Sequence, residues 1–255
     1  MSALEGRSVV VTRPERQAGA LASLIAAAGG RALLYPAIEI QPVAGDALGR
    51  TIAGLDSFDW ALFISRNAVE QGLAQVRARR AWPIGLAVAA VGAGSRRALE
   101  SEGLAGVLAP EGPADSEALL DLAPLKAVAG KRIVVFRGEG GRETLASTLR
   151  ERGAIVEYAE CYRRVRPAAS LQPLVGEWRR GEVHAVTVSS GEGLANFAAL
   201  LGEAGRGLLG GTPLFVPHER VAQEARGMGI ASVRVGGTAD EEMLAALVAY
   251  FGRAG

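Results

Sequence analysis

Residues 9–30, VVVTRPERQAGALASLIAAAGG, and residues 133–154, IVVFRGEGGRETLASTLRERGA, are two copies of one pattern. Leu21 corresponds to Leu145 and Gly29 to Gly153, each 124 positions further on. Each copy opens on an unbroken apolar run, crosses a polar turn, continues with apolar residues at helical spacing and stops at glycine. An apolar run without alternation suits a strand covered on both faces, as in the parallel sheets of α/β proteins.

The echo extends outward from this pair. WALFIS at residues 60–65 returns as HAVTVS at 184–189, and Ser65 falls on Ser189. LAVAAVGAGSRRALESEG at residues 86–103 returns as GTPLFVPHERVAQEARGMG at 211–229, with Ala98 on Ala222, and GPADSEALLDL from Gly112 returns from Gly237 with a slip of one. A repeat of this length is the size of a domain rather than of a solenoid unit. The predicted fold class is therefore α/β, with two similar open parallel-sheet domains and flanking helices. The Pro-flanked stretch at residues 36–42 and the segment EYAECYRRVR at 157–166 each follow the first helix of their copy. They are expected to pair as a two-stranded antiparallel linker, on which Tyr162 either faces a ligand or packs beneath it.

A chain of 255 residues with 49% hydrophobic content is long enough for two ordinary cores. Its apolar stretches fall short of the ~20 residues needed to span a membrane, and the amino terminus runs into a strand with no signal-peptide pattern, so a cytoplasmic protein is expected. Cys161 is the single cysteine and His184 and His218 are the only histidines. That excludes an internal disulfide framework and leaves too little for a structural zinc site, so chemistry without a metal or a thiol pair is expected. The formal net charge of +1 gives no basic field for nucleic acid. Two of the 28 basic residues are lysines, Lys126 and Lys131, leaving 26 arginines, so arginine count by itself says little about anion binding.

In open α/β sheets, ligands bind beyond the carboxyl ends of the strands, where the first amides of the following helices are unpaired. The turns there carry Arg13, then Ser65-Arg66-Asn67-Ala68, Gly92-Ala93-Gly94-Ser95, Arg137-Gly138 and Ser189-Ser190-Gly191. Arg13, Asn67, Ala68, Gly92, Arg137, Gly138, Ser190 and Gly191 are accordingly candidate substrate-binding positions. Ser65, Ser95 and Ser189 also read as simple helix N-caps. Two Gly-rich turns approach a dinucleotide fingerprint, but Arg97 and Glu143 occupy the third glycine position, and neither lysine lies in a phosphate loop.

Taken in order, VVVTRPE, the strand from Pro36 to Pro42, FDWALFISRNAVE, AVAAVGAGSRRALESEG, KRIVVFRGEGGRETLASTLRERGAIVEYAECYRRV, HAVTVSSGEGLANF and GTADEEMLAAL resemble the uroporphyrinogen-III synthase family from about Val9 to Leu247. The resemblance implies a cofactor-independent hydro-lyase that closes hydroxymethylbilane to uroporphyrinogen III in an interdomain cleft. Water is lost and ring D is inverted through a spiro intermediate. It implies Tyr162 as the proton donor to the leaving hydroxyl, and Ser65, Ser95 and Ser189 as donors to substrate carboxylates. At Ser95 the family commonly has threonine, and Pro217-His218-Glu219 departs from its Gly-x-x-Thr, so His218 takes no inherited role.

The repeat alone leaves two partitions open, one of which cuts the chain near Lys126. The resemblance implies the other: residues 1–36 plus 168–255 as one domain, 43–156 as the second, and 37–42 with 157–167 as linker strands. A monomer that binds neither nucleic acid nor membrane is expected. The rival functional reading is a non-catalytic two-lobed module that binds small anions or serves regulation.

Overall fold

The structure is a computed structural model that describes residues 2–112 and 115–252, so Pro113 and Ala114 of the last repeated segment lie outside the described residues. The chain forms two compact units, Met1–Glu39 with Val165–Gly255, and Ile40–Arg164. The first unit begins with β1 (Ser8–Val11), α1 (Glu15–Ala27) and β2 (Arg31–Leu34). The second contains β3 (Glu39–Pro42), α2 (Asp46–Ala53), β4 (Trp60–Phe63), α3 (Arg66–Arg77), β5 (Ala87–Ala90), α4 (Ala93–Ser101), α5 (Ser116–Leu120), α6 (Ala123–Lys126), β6 (Arg132–Gly138), α7 (Thr144–Glu151) and β7 (Ile155–Val165). The chain then completes the first unit with α8 (Gln172–Arg179), β8 (Ala185–Thr187), α9 (Gly191–Gly211), β9 (Leu214–Val216), α10 (Glu219–Gly227), β10 (Val233–Val235) and α11 (Asp240–Phe251).

Each unit has one five-stranded sheet, ordered β10-β9-β8-β1-β2 in the first and β3-β7-β6-β4-β5 in the second. The β1–β2, β1–β8, β8–β9 and β9–β10 pairs are parallel, as are β4–β5, β4–β6 and β6–β7. Both faces of both sheets are covered. Val9 and Val11 pack into one cluster with Leu21, Ile25 and Leu247, whereas Val10 joins Trp178, Phe197 and Val221 on the other face. In the second unit Ile133 and Val135 face Leu145 and Leu149, and Val134 and Phe136 face Val69, Leu73 and Val76 of α3. Alternation in space is therefore present in these strands. It is invisible in sequence because both destinations are apolar.

The expected linker is part of a sheet. The two segments do pair, since β3 and β7 are neighbours in the second unit's sheet, and β7 is also in register with β6 from Ile155 through Tyr162.

Sheet pairing also corrects the spacing of the repeat. Val9 pairs with Ala32 and Ile133 with Val156, both partners 124 residues apart. Ala185, opposite Val9, takes the place of Trp60, opposite Ile133, so that step has a spacing of 125. Leu214, beside Val186, takes the place of Val88, beside Ala61, which raises it to 126. The copies drift by one residue at each of these steps because only loops change length. The repeated glycine that ends the first helix holds position: Gly29 has φ 83° and Gly153 φ 85°, the left-handed conformation that favours glycine. Among the described residues no helix is long and apolar enough to cross a membrane.

Two packing features give direct tests. At Gly72 of α3 a Cβ would stand 2.7 Å from Phe136 Cδ1, and that ring is fully buried and stacked on Phe63 at 4.6 Å. Alanine gains up to about 1 kcal/mol of helix propensity, but overpacking a fixed ring costs about 1–3 kcal/mol. Gly72→Ala is therefore expected to lower stability in urea denaturation. His184 supplies the second test: its Nδ1 accepts the Ser8 N–H at 3.0 Å, and burial, reinforced by Arg7, holds its pKa below the ordinary 6.5. The folded state thus prefers neutral imidazole, and the unfolded chain takes up the proton first as pH falls. Stability from this site is present above pH 6.5 and is lost as pH drops through that value toward the lower folded pKa. His184→Asn, which keeps an acceptor, should flatten this part of the stability-versus-pH curve.

Candidate active site

Parallel strands of one sheet end on one edge, so the turns named above gather there within each unit. At the first unit's edge, Arg13 forms an ion pair with Asp240 at the start of α11 and donates to the Thr238 carbonyl at 3.5 Å. Ser190, not Ser189, caps α9, its Oγ accepting the Gly193 N–H at 3.0 Å, and Ser189 is exposed. This follows from the drift in spacing: the cap equivalent to Ser65 lies 125 positions on. Gly191 abuts the Glu224 carboxylate, where a Cβ would overlap it. His218 occupies the N-cap position of α10 without a side-chain capping bond, 126 positions after Gly92, the N-cap of α4.

At the second unit's edge, Ser65 is a true cap of α3, its Oγ accepting the Ala68 N–H at 3.1 Å. The Ala68 amide is thereby spent, while Asn67 lies in the first turn. Ser95 is not a cap. It is the third residue of α4 and buried, and the cap is Gly92, which has no side-chain oxygen for the first amides of that helix. At the start of α4 Ala93, Gly94 and Ser95 therefore present amides to a ligand oxygen without competition from a capping side chain.

Arg137, a candidate substrate-binding position, is only 2% exposed. Its guanidinium donates to Glu143 Oε1 at 3.0 Å, to the Gly138 carbonyl at 3.3 Å and to the Gly140 carbonyl, and lies 4.5 Å from the Tyr158 ring centroid. Tyr158 Oη donates to the other Glu143 oxygen. That hydrogen bond, with Arg137 second, holds the Glu143 carboxyl below its usual range; burial and then Glu143 push the Tyr158 phenol up. The set secures the Gly138–Glu143 turn from beneath.

Tyr162 is 2% exposed and sits at a β-bulge. Arg137 pairs with Glu160 but Gly138 pairs with Tyr162, so Cys161 is the extra residue on β7. Without the bulge, Tyr162 would follow Val156 and Tyr158 to the face lined by α7. With it, Cys161 and Tyr162 both join Ala159 on the α3 face. The Cys161 thiol fills the gap, donating to the Arg137 carbonyl at 3.4 Å, and burial raises its pKa to about 12, which makes it inert. Turned this way, Tyr162 Oη comes 3.1 Å from Ser65 Oγ. Gly138 makes room: a Cβ there would lie 2.7 Å from Tyr162 Cε2 and 2.8 Å from Cζ.

The structure therefore brings Ser65, Ala68, Gly138 and Tyr162 together, with Arg137 behind them and Gly92 and Ser95 on the next strand of the same edge; Arg13, Ser189, Ser190 and Gly191 belong to the first unit. Sequence reading missed Glu143 and Tyr158, which no motif marks, and the bulge, whose one trace in sequence is the glycine opposite it. Among the described residues, no three His, Cys, Asp or Glu side chains are grouped to hold a metal ion.

Two doubly covered parallel α/β units with polar turns at their carboxyl edges define the class of protein. The family model described as uroporphyrinogen-III synthase HemD matches residues 19–246. The uroporphyrinogen-III synthase of Salmonella typhimurium is 35% identical over 242 residues, 93% of this chain and 98% of the relative. That of Synechococcus elongatus is 30% identical over 78% of this chain and 76% of its own length. Among solved structures, the Helicobacter pylori uroporphyrinogen-III synthetase superposes with a TM-score of 0.63 at 13% identity, over 96% of this chain and 99% of its own. A Thermus thermophilus uroporphyrinogen III synthase variant does so at 0.61 and 18%, over 98% and 100%. The structural likenesses support the fold, and the family model and the sequence relatives show that the chain belongs to the uroporphyrinogen-III synthase family.

Gly138→Ala tests the packing under Tyr162. The ring is buried and must shift to admit the Cβ, so a loss of about 1–3 kcal/mol is expected in urea denaturation, together with a shift of the Tyr162 ring resonances by NMR.

Proposed function

We propose that this chain is a lyase that converts hydroxymethylbilane into uroporphyrinogen III, and that Tyr162 assists departure of the terminal hydroxyl. Its family membership supports the reaction. The observation that carries the assignment of the acid is the phenol Oη, delivered by the bulge to the carboxyl edge of the sheet at 3.1 Å from Ser65. A phenol with a reference pKa near 10 can give a proton to a departing hydroxyl and be restored later in the cycle.

The pyrroles themselves supply nucleophile and electron push. Loss of water generates an azafulvene, the substituted carbon of ring D attacks it, and the spiro intermediate fragments and recombines with that ring inverted. The protein's share is positioning and proton delivery. Substrate carboxylates suit short polar turns rather than deep apolar pockets. We assign such contacts to the open amides at Gly92 and Ser95, to Asn67 in the first turn of α3, and to Ser189, Ser190 and Gly191 at the first unit's edge. Arg137 and Ala68 act through the loop and the cap they complete, and Arg13 through its pairing with Asp240. The enzyme is further proposed to be cytoplasmic and monomeric, and to bind neither membrane nor nucleic acid.

Freshly generated hydroxymethylbilane supplied to the protein, followed by oxidation and separation of the uroporphyrin isomers, should give type III in excess over the spontaneous type I. Type I alone at high protein concentration would refute the assignment. Tyr162→Phe should slow turnover by about 10- to 100-fold, equivalent to about 1.4–2.7 kcal/mol in barrier.

A further inference from the structure

Ser65 has more hydrogen-bonding capacity than its cap uses. Its Oγ accepts the Ala68 N–H at 3.1 Å, which occupies one lone pair and leaves the hydroxyl proton to be placed. The side-chain neighbour within reach is Tyr162 Oη at 3.1 Å. Either oxygen can be the donor at that distance, and the two choices have opposite consequences. If Tyr162 donates, its proton points into the cap and away from any ligand. If Ser65 donates, the phenol keeps its own proton for a partner beyond the sheet edge, and the phenolate left after transfer retains a hydrogen bond.

We propose that Ser65 is a positioning residue that donates to Tyr162 Oη, forming a polarised chain from the Ala68 amide through the Ser65 hydroxyl to the phenol. This rests on the reading of Tyr162 as the acid. Accepting the helix amide makes the Ser65 hydroxyl a better donor, since linked hydrogen bonds polarise one another. During departure of water the Tyr162 O–H bond breaks as an O–H bond forms to the leaving hydroxyl, and the C–O electron pair goes with the water. The cation on the pyrrole unit balances the phenolate, and a proton released as the macrocycle closes returns to Tyr162. Three independent features serve this alignment: the bulge that turns Tyr162 to the α3 face, the Cβ-free Gly138 beneath its ring, and the helix start that fixes Ser65. Of the charged groups around the phenol, Arg164 on β7 lies 5.9 Å from its ring centroid, Arg137 on β6 is engaged with Glu143 and Gly140, and Arg66 at the start of α3 is exposed.

The test is a pH titration of protein labelled with 13C at tyrosine Cζ, in which the Tyr162 signal is identified by its loss in Tyr162→Phe. Ser65→Gly removes the hydroxyl, yet glycine remains an acceptable N-cap, so α3 is retained. If Ser65 donates, Ser65→Gly raises the Tyr162 pKa by about one to two pH units, as expected for loss of a hydrogen bond to a charged group, and Ser65→Thr restores it. An unchanged or lowered pKa overturns the proposal, because the Ser65 hydroxyl would then give the phenolate no net stabilisation. Kinetically, Ser65→Gly should lower kcat about tenfold, whereas Ser65→Gly/Tyr162→Phe should be no slower than Tyr162→Phe alone. Multiplying effects would instead place Ser65 directly on the substrate and also defeat the proposal. Failure of the underlying reading is separable: the wild-type protein would then form no excess of the type III isomer, whatever the titration shows.

Discussion

Burial of the central strands on both faces is the constraint from which the rest follows. Val9, Val10 and Val11, like Ile133, Val134 and Phe136, are fully removed from solvent, each worth about 1.5–3 kcal/mol for a residue of this size. A strand buried on both sides needs helices on both sides, and crossover helices make its neighbours parallel. Parallel strands all end on one edge, and the polar turns have nowhere else to collect. The edge that carries Ser65, Gly92, Gly138 and Tyr162 is thus a consequence of apolar runs that contain none of them.

Duplication preserved that constraint but relaxed the loops. Four strands have the same spatial order in each sheet, β2-β1-β8-β9 and β7-β6-β4-β5, although the chain visits them in a different sequence. Spacings of 124, 125 and 126 between equivalent strands show loop length changing one residue at a time while strand pairing is kept. The turn after β6 diverged further: the cap of α7 is Glu143, 129 positions after Pro14, the cap of α1. Those additional residues hold the glycines, and Arg137, Glu143 and Tyr158 bind them in place. The cores remain alike because a strand register cannot slip by one without exchanging its faces, whereas an edge turn can lengthen without disturbing either core.

Tyr162 shows how a buried aromatic can be turned toward a polar strand end. The ring belongs to the core cluster that includes Phe63 and Phe136, and its hydroxyl lies 3.1 Å from Ser65 Oγ at the start of α3. A phenol so held loses little freedom on meeting a substrate, which suits an enzyme whose contribution lies mainly in arranging a bilane that is already reactive. The inert Cys161 beside it is the structural cost of the bulge, not a second reactive group.

The doubled α/β architecture could be read from the sequence, because apolar runs, glycine stops and their order depend on local chemistry, whereas Tyr162 is marked only by the family resemblance. Family resemblance supplied the reaction. Tertiary structure decided what each turn residue does. Ser190 took the cap expected of Ser189, Ser95 went inside its helix, Arg137 turned away from solvent, and the expected linker strands joined a sheet. These outcomes depend on one-residue differences in loop length and on a single extra residue in β7. Neither alters composition or periodicity enough to be seen in sequence, yet each changes the face toward which a side chain points.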